Sequence, residues 1–344
     1  MNHTKRTEQS CVVVAVSGVT CGGKTTITNQ LKMYFDDYSD IEVESINQDD
    51  YFMVDSDPRH VLIPELNHHH YDIPNSVQFD ELLNKLEQYK TAPFKVGIRK
   101  RIVIVDGNMI LEHPPLASTL DLKFFLDQPL EHIRRIRTFR EYDPPDPPGY
   151  FDNYVWPTYL DYLDHAKREP CVDVISSVNY DEIFAIILVK LLRVLFVDWI
   201  HITEKPIAIQ HAVDFVTESS TGAVSSFCGT TRNRFDCKAV VQLSYEAYIP
   251  MALKQMRVLI ENLRAKWPEI GRICILHRIG DVPVGHTSVI IAISSPHRKD
   301  AIRATETAIN DLKTRVPIWK KEIYDDGTKL WKNNSECVHR DVKT

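Results

Sequence analysis

The segment GVTCGGKT has the composition and spacing of a phosphate-binding loop. It fits the pattern G-x-x-x-x-G-K-[ST] and stands between an apolar β-branched run and an amphipathic segment. Gly18 and Gly23 would let backbone N–H groups close around a β-phosphate, and the N-terminus of the following helix would add partial positive charge. Lys24 would reach the β- and γ-phosphates, Thr25 would hold Mg²⁺, and Thr26 completes the nucleotide-binding set. The segment therefore predicts a site for a nucleoside triphosphate and Mg²⁺.

Three acidic residues in the half of the chain that contains the phosphate loop lie at the ends of predicted strands or in a predicted loop. Asp49 follows the run IEVESI, Asp106 ends the run RIVIVD, and Asp72 lies in an intervening loop. Each alone would be read as a solvated loop acid. A kinase, however, needs a base near the acceptor hydroxyl and an acid near the metal, so the phosphate loop favours catalytic and metal-binding roles.

A basic segment, EHIRRIRTFR, precedes a proline-rich stretch that is too irregular for a helix or strand. Arg134, Arg135 and Arg140 could clamp the phosphate that is transferred. The alternative is a solvated basic helix face, and the sequence leaves both open. Long loops of this kind in a compact domain are usually functional, often as lids.

The second half has no phosphate loop, so its chemistry must rest on side chains. Cationic residues cluster in several of its motifs: Arg232, His297, Arg298, Lys313, Lys320 and Lys321. Such a set can bind a phosphate, and crowding lowers the pKa of a lysine, which suits a base or nucleophile. The alternative is a solvated charged face, which chemistry alone favours for Lys321.

Hydrophobic periodicity divides the chain into two parts. The first alternates strand-like and helix-like segments, which predicts a parallel, doubly wound α/β sheet, with Ile27, Leu31 and Phe35 on one helix face. The second has runs of strands with two long helices, an α+β pattern, and Ser295 followed by Pro296 predicts the start of the second helix. We expect domains at residues 10–196 and 197–344.

Composition narrows the functional classes. The net charge of −6 argues against a nucleic-acid binder or a membrane-surface protein, and no apolar run is long enough to span a bilayer. We expect a cytoplasmic protein whose seven scattered cysteines are free thiols, with Cys228 a small buried strand residue. The HHH run at 68–70 suggests either a metal ligand set or, as we favour, a solvated loop.

The first half resembles the nicotinamide riboside kinases, relatives of the uridine kinases. The resemblance rests on GVTCGGKTT, QDDYF, HHYD and YDPPDPPGYFDNYVWPTYLDY, and it covers about residues 10–195. It implies ATP-dependent phosphorylation of a nucleoside 5′-hydroxyl, with Asp49 as general base, Asp72 on the ribose hydroxyls, and Tyr71 and Tyr142 along the nucleoside. Such kinases commonly carry Glu where this chain has Asp106.

The second half resembles the large, catalytic subunit of molybdopterin synthase over roughly 200–337. The motifs are FCGTTRNRF, LSYEAYIPMA, HRIGDVPVG, SSPHRKDA and LKTRVPIWKKEIY. The resemblance implies sulfur transfer to cyclic pyranopterin monophosphate from a small partner subunit with a thiocarboxylated Gly-Gly tail, in a heterotetramer built on a central dimer, without a cofactor. Lys313 would be the main catalytic lysine and Lys320 its assistant. The substrate-binding set would be Arg232, His297, Arg298, Lys313, Lys320, Lys321 and Glu322.

The chain is thus interpreted as a fusion of two enzymes, with two alternatives. In one, the kinase-like half is a non-catalytic docking or scaffold module. Retention of Lys24, Asp49 and Asp72 favours activity instead. In the other, the second half is a silent binding module of a larger complex, against which intact Lys313 and Lys320 speak.

Overall fold

A computed structural model describes residues 9–140, 142, 145–235 and 238–332. The chain divides into two compact units, residues 1–191 and 192–344. Within the described residues, no helix is both long and apolar enough to cross a membrane.

The first unit is built on a five-stranded parallel sheet with the order β2-β5-β1-β6-β7. Its strands, with a short β3–β4 hairpin outside that sheet, are β1 (Ser10–Gly18), β2 (Ile41–Asn47), β3 (Leu62–Ile63), β4 (His68–His69), β5 (Lys100–Gly107), β6 (Leu122–Asp127) and β7 (Val172–Ser176). Its helices are α1 (Lys24–Phe35), α2 (Phe79–Thr91), α3 (Pro114–Ala117), α4 (Leu130–Arg137), α5 (Trp156–Arg168) and α6 (Tyr180–Leu195), and the division of the chain falls inside α6.

Both faces of this sheet are covered, because β1 and β5 are buried along almost their whole length. Ile27, Leu31 and Phe35 of α1 are at most 1% exposed, as their spacing predicts. On the sheet face that carries Val13 and Val105, side chains of α2 and α5 complete a second apolar cluster. The doubly wound α/β prediction is confirmed.

The second unit contains two sheets, which confirms the α+β prediction. One has the order β8-β12-β14-β9, and the other has β10-β11-β15-β16 with β13 paired to β11. The strands are β8 (Trp199–Thr203), β9 (Ala223–Thr230), β10 (Arg234–Phe235), β11 (Lys238–Ala247), β12 (Ile273–Arg278), β13 (Gly280–Pro283), β14 (Thr287–Ser295), β15 (Ile318–Tyr324) and β16 (Lys329–Lys332). The helices are α7 (Ile209–Val216), α8 (Ile249–Lys266) and α9 (Arg298–Arg315).

Two local predictions for the second unit are wrong. Ser295 ends β14 and does not start α9; its Oγ accepts a hydrogen bond from the His297 N–H, and α9 begins at Arg298. Cys228 is exposed, because side chains of β9 alternate between a half-buried and an exposed face and Cys228 falls on the second. The five cysteines in the described part of the chain are free thiols.

Candidate functional sites

The carboxyl ends of three neighbouring parallel strands bring the predicted kinase residues to one edge of the first sheet. The phosphate loop follows β1, Asp49 follows β2, and Asp106 lies near the end of β5. Ligands of open α/β sheets bind at this edge. A cleft of about 530 Å³ lies there, and its lining includes Gly23, Lys24, Thr25, Thr26, Asp49, Tyr71, Asp72, Asp106 and Tyr142.

Glycine is required at two positions of the loop for different reasons. Gly18 has φ +134°, and a Cβ there would meet the backbone of Leu126 in β6 at 2.5 Å, so Gly18 permits close strand packing. Gly23 has φ +88° where α1 begins, and a Cβ there would lie 2.2 Å from the ring of Tyr180. Gly18 is outside the cleft lining, whereas Gly23 and Tyr180 are part of it.

Lys24 is held at the end of the loop by oxygen acceptors. Its Nζ donates to the carbonyls of Gly18 (3.1 Å) and Val19 (2.8 Å) and to Asn108 Oδ1 (2.5 Å). Burial lowers the pKa of Lys24, and the nearby carboxylates of Asp49 and Asp106 oppose that change. A bound anionic phosphate would likewise favour the ammonium form.

Thr25 and Asp106 face each other as an Mg²⁺ site of a phosphate-loop protein requires. Thr25 Oγ1 donates to Asp106 Oδ2 at 3.0 Å, and Asp106 is 2% exposed. Burial raises the pKa of Asp106, and the hydrogen bond from Thr25 opposes the rise. A hydroxyl and a carboxylate are the hard oxygen donors that Mg²⁺ prefers, so this pair fits the ion.

Asp72 and the tyrosines form the part of the cleft where an acceptor would lie. Tyr150 OH donates to Asp72 Oδ2 at 3.1 Å and accepts from the Tyr71 N–H at 2.9 Å. Burial raises the pKa of Asp72. Tyr142 OH lies 2.9 Å from Arg137 Nη1, and burial raises the pKa of Tyr142 to about 12.

The arginine prediction needs correction. Arg134 and Arg135 are exposed on α4 and lie outside the cleft lining; Arg134 pairs with Asp152 at 2.8 Å. Of the three predicted arginines, Arg140 lines the cleft. Arg137 lines it as well, because Ile133 turns inward and fixes the rotation of α4. Arg137 pairs with Asp146, and Arg140 lies 3.6 Å from Asp49.

Sequence reasoning missed Asn108, Arg137, Tyr150 and Tyr180 as cleft residues. Asn108 stands two residues after Asp106, just beyond the end of β5, and that position was a usable signal. Tyr150 belongs to the motif YDPPDPPGYF, in which the kinase resemblance assigns a role to Tyr142 alone. Tyr180 gave no signal, since its approach to Gly23 depends on tertiary packing.

In the second unit, four of the predicted residues share one pocket of about 300 Å³. These are Arg232 after β9, Lys313 in the last turn of α9, and Lys320 and Glu322 on β15, with Arg234 added by the structure. Glu322 is 4% exposed and accepts from Tyr324 OH, with Lys332 Nζ at 3.6 Å. The pocket therefore combines several cations with one buried acid.

His297, Arg298 and Lys321 do not line that pocket. His297 caps α9, and with Arg298 it lines a separate open depression beside Arg303. Lys321 points to the opposite face of β15, because strand side chains alternate; its Nζ lies 3.1 Å from Glu246 and over the Trp331 ring. Within one chain, the predicted substrate-binding residues are thus divided among the Lys313 pocket, the depression at His297 and Arg298, and Lys321, which is ion-paired.

Comparisons with known proteins identify the second unit. A family model described as MoaE protein matches residues 202–315. The molybdopterin synthase catalytic subunit 1 of Aedes aegypti is 49% identical over 150 residues, which are 42% of this chain and 97% of that protein. The molybdopterin synthase catalytic subunit of Rattus norvegicus is 46% identical over 140 residues, 41% of this chain and 70% of that protein.

For the first unit, a solved structure described as a possible uridine kinase from Bacillus stearothermophilus is 18% identical. It covers 50% of this chain and 91% of that chain with a TM-score of 0.33. The kinase-like fold therefore rests on the strand order β2-β5-β1-β6-β7 and on the phosphate loop after β1. The second unit, in contrast, is 49% identical to a relative that it covers almost completely. Through this unit, the chain belongs to the molybdopterin synthase catalytic subunit family.

Proposed function

We propose that the second unit transfers sulfur from the thiocarboxylated tail of a small partner subunit to cyclic pyranopterin monophosphate. The observation that carries the proposal is the pocket shared by Arg232, Lys313, Lys320 and Glu322. Its cations suit a substrate phosphate and an anionic thiocarboxylate, since charge-assisted hydrogen bonds to such groups are the strong ones. The thiocarboxylate sulfur forms a bond to a substrate carbon as that carbon's bond to oxygen breaks, and the oxygen leaves as water. A second water then cleaves the bond between the sulfur and the donor's acyl carbon, which leaves the sulfur on the substrate and releases the donor as a carboxylate.

Lys313 is the catalytic lysine of this proposal, and Lys320 assists it on the facing strand. Lys313→Ala is expected to abolish conversion of the precursor while binding of the small partner persists. Lys313→Arg is the matched control, because it keeps the charge and loses the ability to act as a base. Conversion that survives Lys313→Ala would overturn the assignment.

We propose further that a dimer of the chain unites the two cationic places. His297 and Arg298 of one copy would complete the Lys313 pocket of the other, which is why one chain alone leaves them apart. An equal mixture of Lys313→Ala and Arg298→Ala chains should then recover about a quarter of the wild-type rate, since half the dimers are mixed and each has one intact site. A mixture of Lys313→Ala and Lys320→Ala should recover nothing, because both changes fall in one pocket.

We propose that the first unit phosphorylates the 5′-hydroxyl of a nucleoside, with nicotinamide riboside as the preferred acceptor and ATP as donor. The observation that carries this is the joint presence of the Lys24 cradle, the Thr25–Asp106 pair and Asp49 in one cleft. Bound Mg²⁺ would be held by Thr25 and Asp106 and would neutralise phosphate charge. We place both reactions in the cytoplasm.

Six side chains of the cleft have a task in the proposed reaction. Asp49 accepts the proton of the acceptor hydroxyl, Asp72 binds ribose hydroxyls, and Tyr71 and Tyr142 lie along the nucleoside. Arg137 and Arg140 stabilise charge on the transferring phosphate. Asp49→Asn should lower kcat by at least about a hundredfold, as expected for loss of a general base, with little change in the KM for ATP. An unchanged kcat would show that Asp49 is not the general base of this reaction.

A further inference from the structure

The loop that precedes α2 brings two histidines and an aspartate together beside the first unit's cleft. Asp55, His60 and His69 each offer one ligand atom, and these atoms all lie within 4.8 Å of one another. The β3–β4 hairpin fixes His69, which pairs with Leu62, and the His60 and His69 rings stack at 4.7 Å. The proposed phosphoryl transfer uses none of the three.

The surroundings of His60 fix which of its ring nitrogens is available. His60 Nε2 lies 3.3 Å from the Met53 carbonyl and 3.2 Å from the Val54 carbonyl. Because a carbonyl can only accept, Nε2 carries the proton and Nδ1 keeps its lone pair. Nδ1 is buried and has no hydrogen-bond partner among the described residues. A histidine that donates one N–H to a backbone carbonyl and offers the other nitrogen is held as metal-binding histidines are.

Asp55 supplies a carboxylate that is already oriented. Its Oδ1 accepts from Tyr71 OH at 2.6 Å, which leaves the second oxygen for another partner. Asp55 is exposed, so an ion can reach its carboxylate from solvent. Both Asp55 and Tyr71 line the cleft.

We propose that Asp55, His60 and His69 form a Zn²⁺ site that ties this loop to the wall of the cleft. Two imidazoles and a carboxylate are a zinc ligand set, with the fourth position left to water. Mg²⁺ does not compete, since it demands oxygen ligands in near-octahedral geometry. Ligand atoms of one tetrahedral zinc lie about 3.4 Å apart, given bonds of about 2.0–2.1 Å, so binding would have to contract the cluster and separate the stacked rings.

The site would act on the acceptor and not on ATP. Zinc bound to Asp55 fixes the carboxylate that holds Tyr71, and Tyr71 lies along the proposed nucleoside position. Zinc should therefore change the affinity for the nucleoside and leave that for ATP unaltered. This consequence rests on the proposed kinase function, whereas metal binding itself does not, so the two can fail separately.

The test is a calorimetric titration of the chelator-treated full chain with Zn²⁺. The titration is repeated with Co²⁺, whose visible spectrum reports histidine ligation. The variants are His60→Gln, His69→Gln and Asp55→Asn, and the matched control is His68→Gln, which alters the neighbouring histidine of the same hairpin. Because thiols elsewhere in the chain also bind zinc, the quantity that tests the proposal is the difference in zinc binding between the wild type and each variant. Thermal melts confirm that each variant folds, and the exposed position of Asp55 protects that variant from misfolding.

We expect the wild type and His68→Gln to bind one zinc equivalent at this site with the same affinity. In each of the three cluster variants, the affinity of that site should fall at least about tenfold. Equal stoichiometry and affinity in all chains would overturn the proposal. Loss in His68→Gln to the same extent as in His60→Gln would also overturn it, because the hairpin as a whole and not the cluster would then be responsible.

Discussion

At the scale of single residues, Asp72 is the proposed ligand for the ribose hydroxyls, and its carboxyl group also affects the stability of the fold. Tyr150 OH and the Asn108 amide both donate to it, at 3.1 and 3.4 Å, and Arg137 adds a favourable charge nearby. Burial nevertheless dominates and raises its pKa. A carboxylate kept at such a cost is expected where a ligand uses its charge.

Asp72→Asn should raise the KM for the nucleoside about ten- to a hundredfold, because a charged hydrogen-bond acceptor for the ribose hydroxyls is lost. The KM for ATP should stay within about twofold, since the loop around Lys24 is the proposed ATP site. Steady-state kinetics with each substrate varied in turn separates the two. A parallel rise in both KM values would place Asp72 in the general architecture of the cleft and not on the acceptor.

The same substitution should change the pH dependence of stability. The folded-state pKa of Asp72 is raised above its unfolded value near 4, so its contribution is present at low pH and is lost as pH rises through the raised pKa. Asp72→Asn removes that loss, and its advantage over the wild type should grow as pH rises from about 4 through the raised pKa of Asp72. The measurement is the midpoint of the thermal transition that ATP–Mg²⁺ shifts; a difference independent of pH would contradict the explanation.

Sequence reasoning worked for residues whose spacing is fixed by a local motif and failed for those set by tertiary geometry. Lys24 and Thr25 follow from one loop pattern. The choice between Arg134 and Arg137 depends on how α4 turns against the sheet, and the basic run EHIRRIRTFR contains no unique answer. Lys321 and Lys320 are neighbours in sequence but lie on opposite faces of β15, a distinction that needs the register of the strand with β11.

At the scale of elements, strand β12 carries a histidine that folding keeps neutral. His277 is 4% exposed, its ring meets the Tyr245 ring edge-on at 5.1 Å, and Nδ1 lies 2.8 Å from the Arg278 carbonyl. Burial lowers the pKa of His277 to about 4. Protonation of His277 at low pH should therefore weaken the packing of β12 against Tyr245 of β11, whereas apolar contacts nearby do not depend on pH.

The second unit should lose stability as pH falls from about 6.5 toward 4. The unfolded chain binds a proton at His277 with a pKa near 6.5, whereas the folded chain resists protonation until about 4. The full loss amounts to about 3 kcal/mol, reached only below the folded pKa. Urea unfolding from pH 7.5 to 4.5, with an NMR titration of the His277 ring as control, checks this. A ring that titrates near 6.5 in the folded protein would remove the cause.

Element types were predicted well, and element boundaries less well, for a physical reason. Long apolar runs such as those of β1, β5 and β14 are buried on both faces and leave one interpretation. The start of α9 was misjudged because Ser and Pro are good cap and first-turn residues. In the fold, Ser295 remains paired in β14 with Ala223, and that strand pairing outweighs the local capping preference.

At the scale of the whole molecule, the chain joins two units that each have their own sheets and their own candidate anion-binding site. The phosphate loop serves the first, and side-chain cations serve the second. Since each proposed reaction draws only on residues of its own unit, we expect the two activities to be separable by single substitutions.

The most direct test measures both reactions on the full chain, in the wild type, Lys24→Ala and Lys313→Ala. One assay follows ATP-dependent phosphorylation of nicotinamide riboside, and the other follows conversion of cyclic pyranopterin monophosphate with the thiocarboxylated partner. The account predicts that Lys24→Ala loses only phosphorylation and Lys313→Ala loses only sulfur transfer, each by at least about a hundredfold. A substitution that disables both reactions, or leaves its own reaction intact, would contradict the account of two independent active sites.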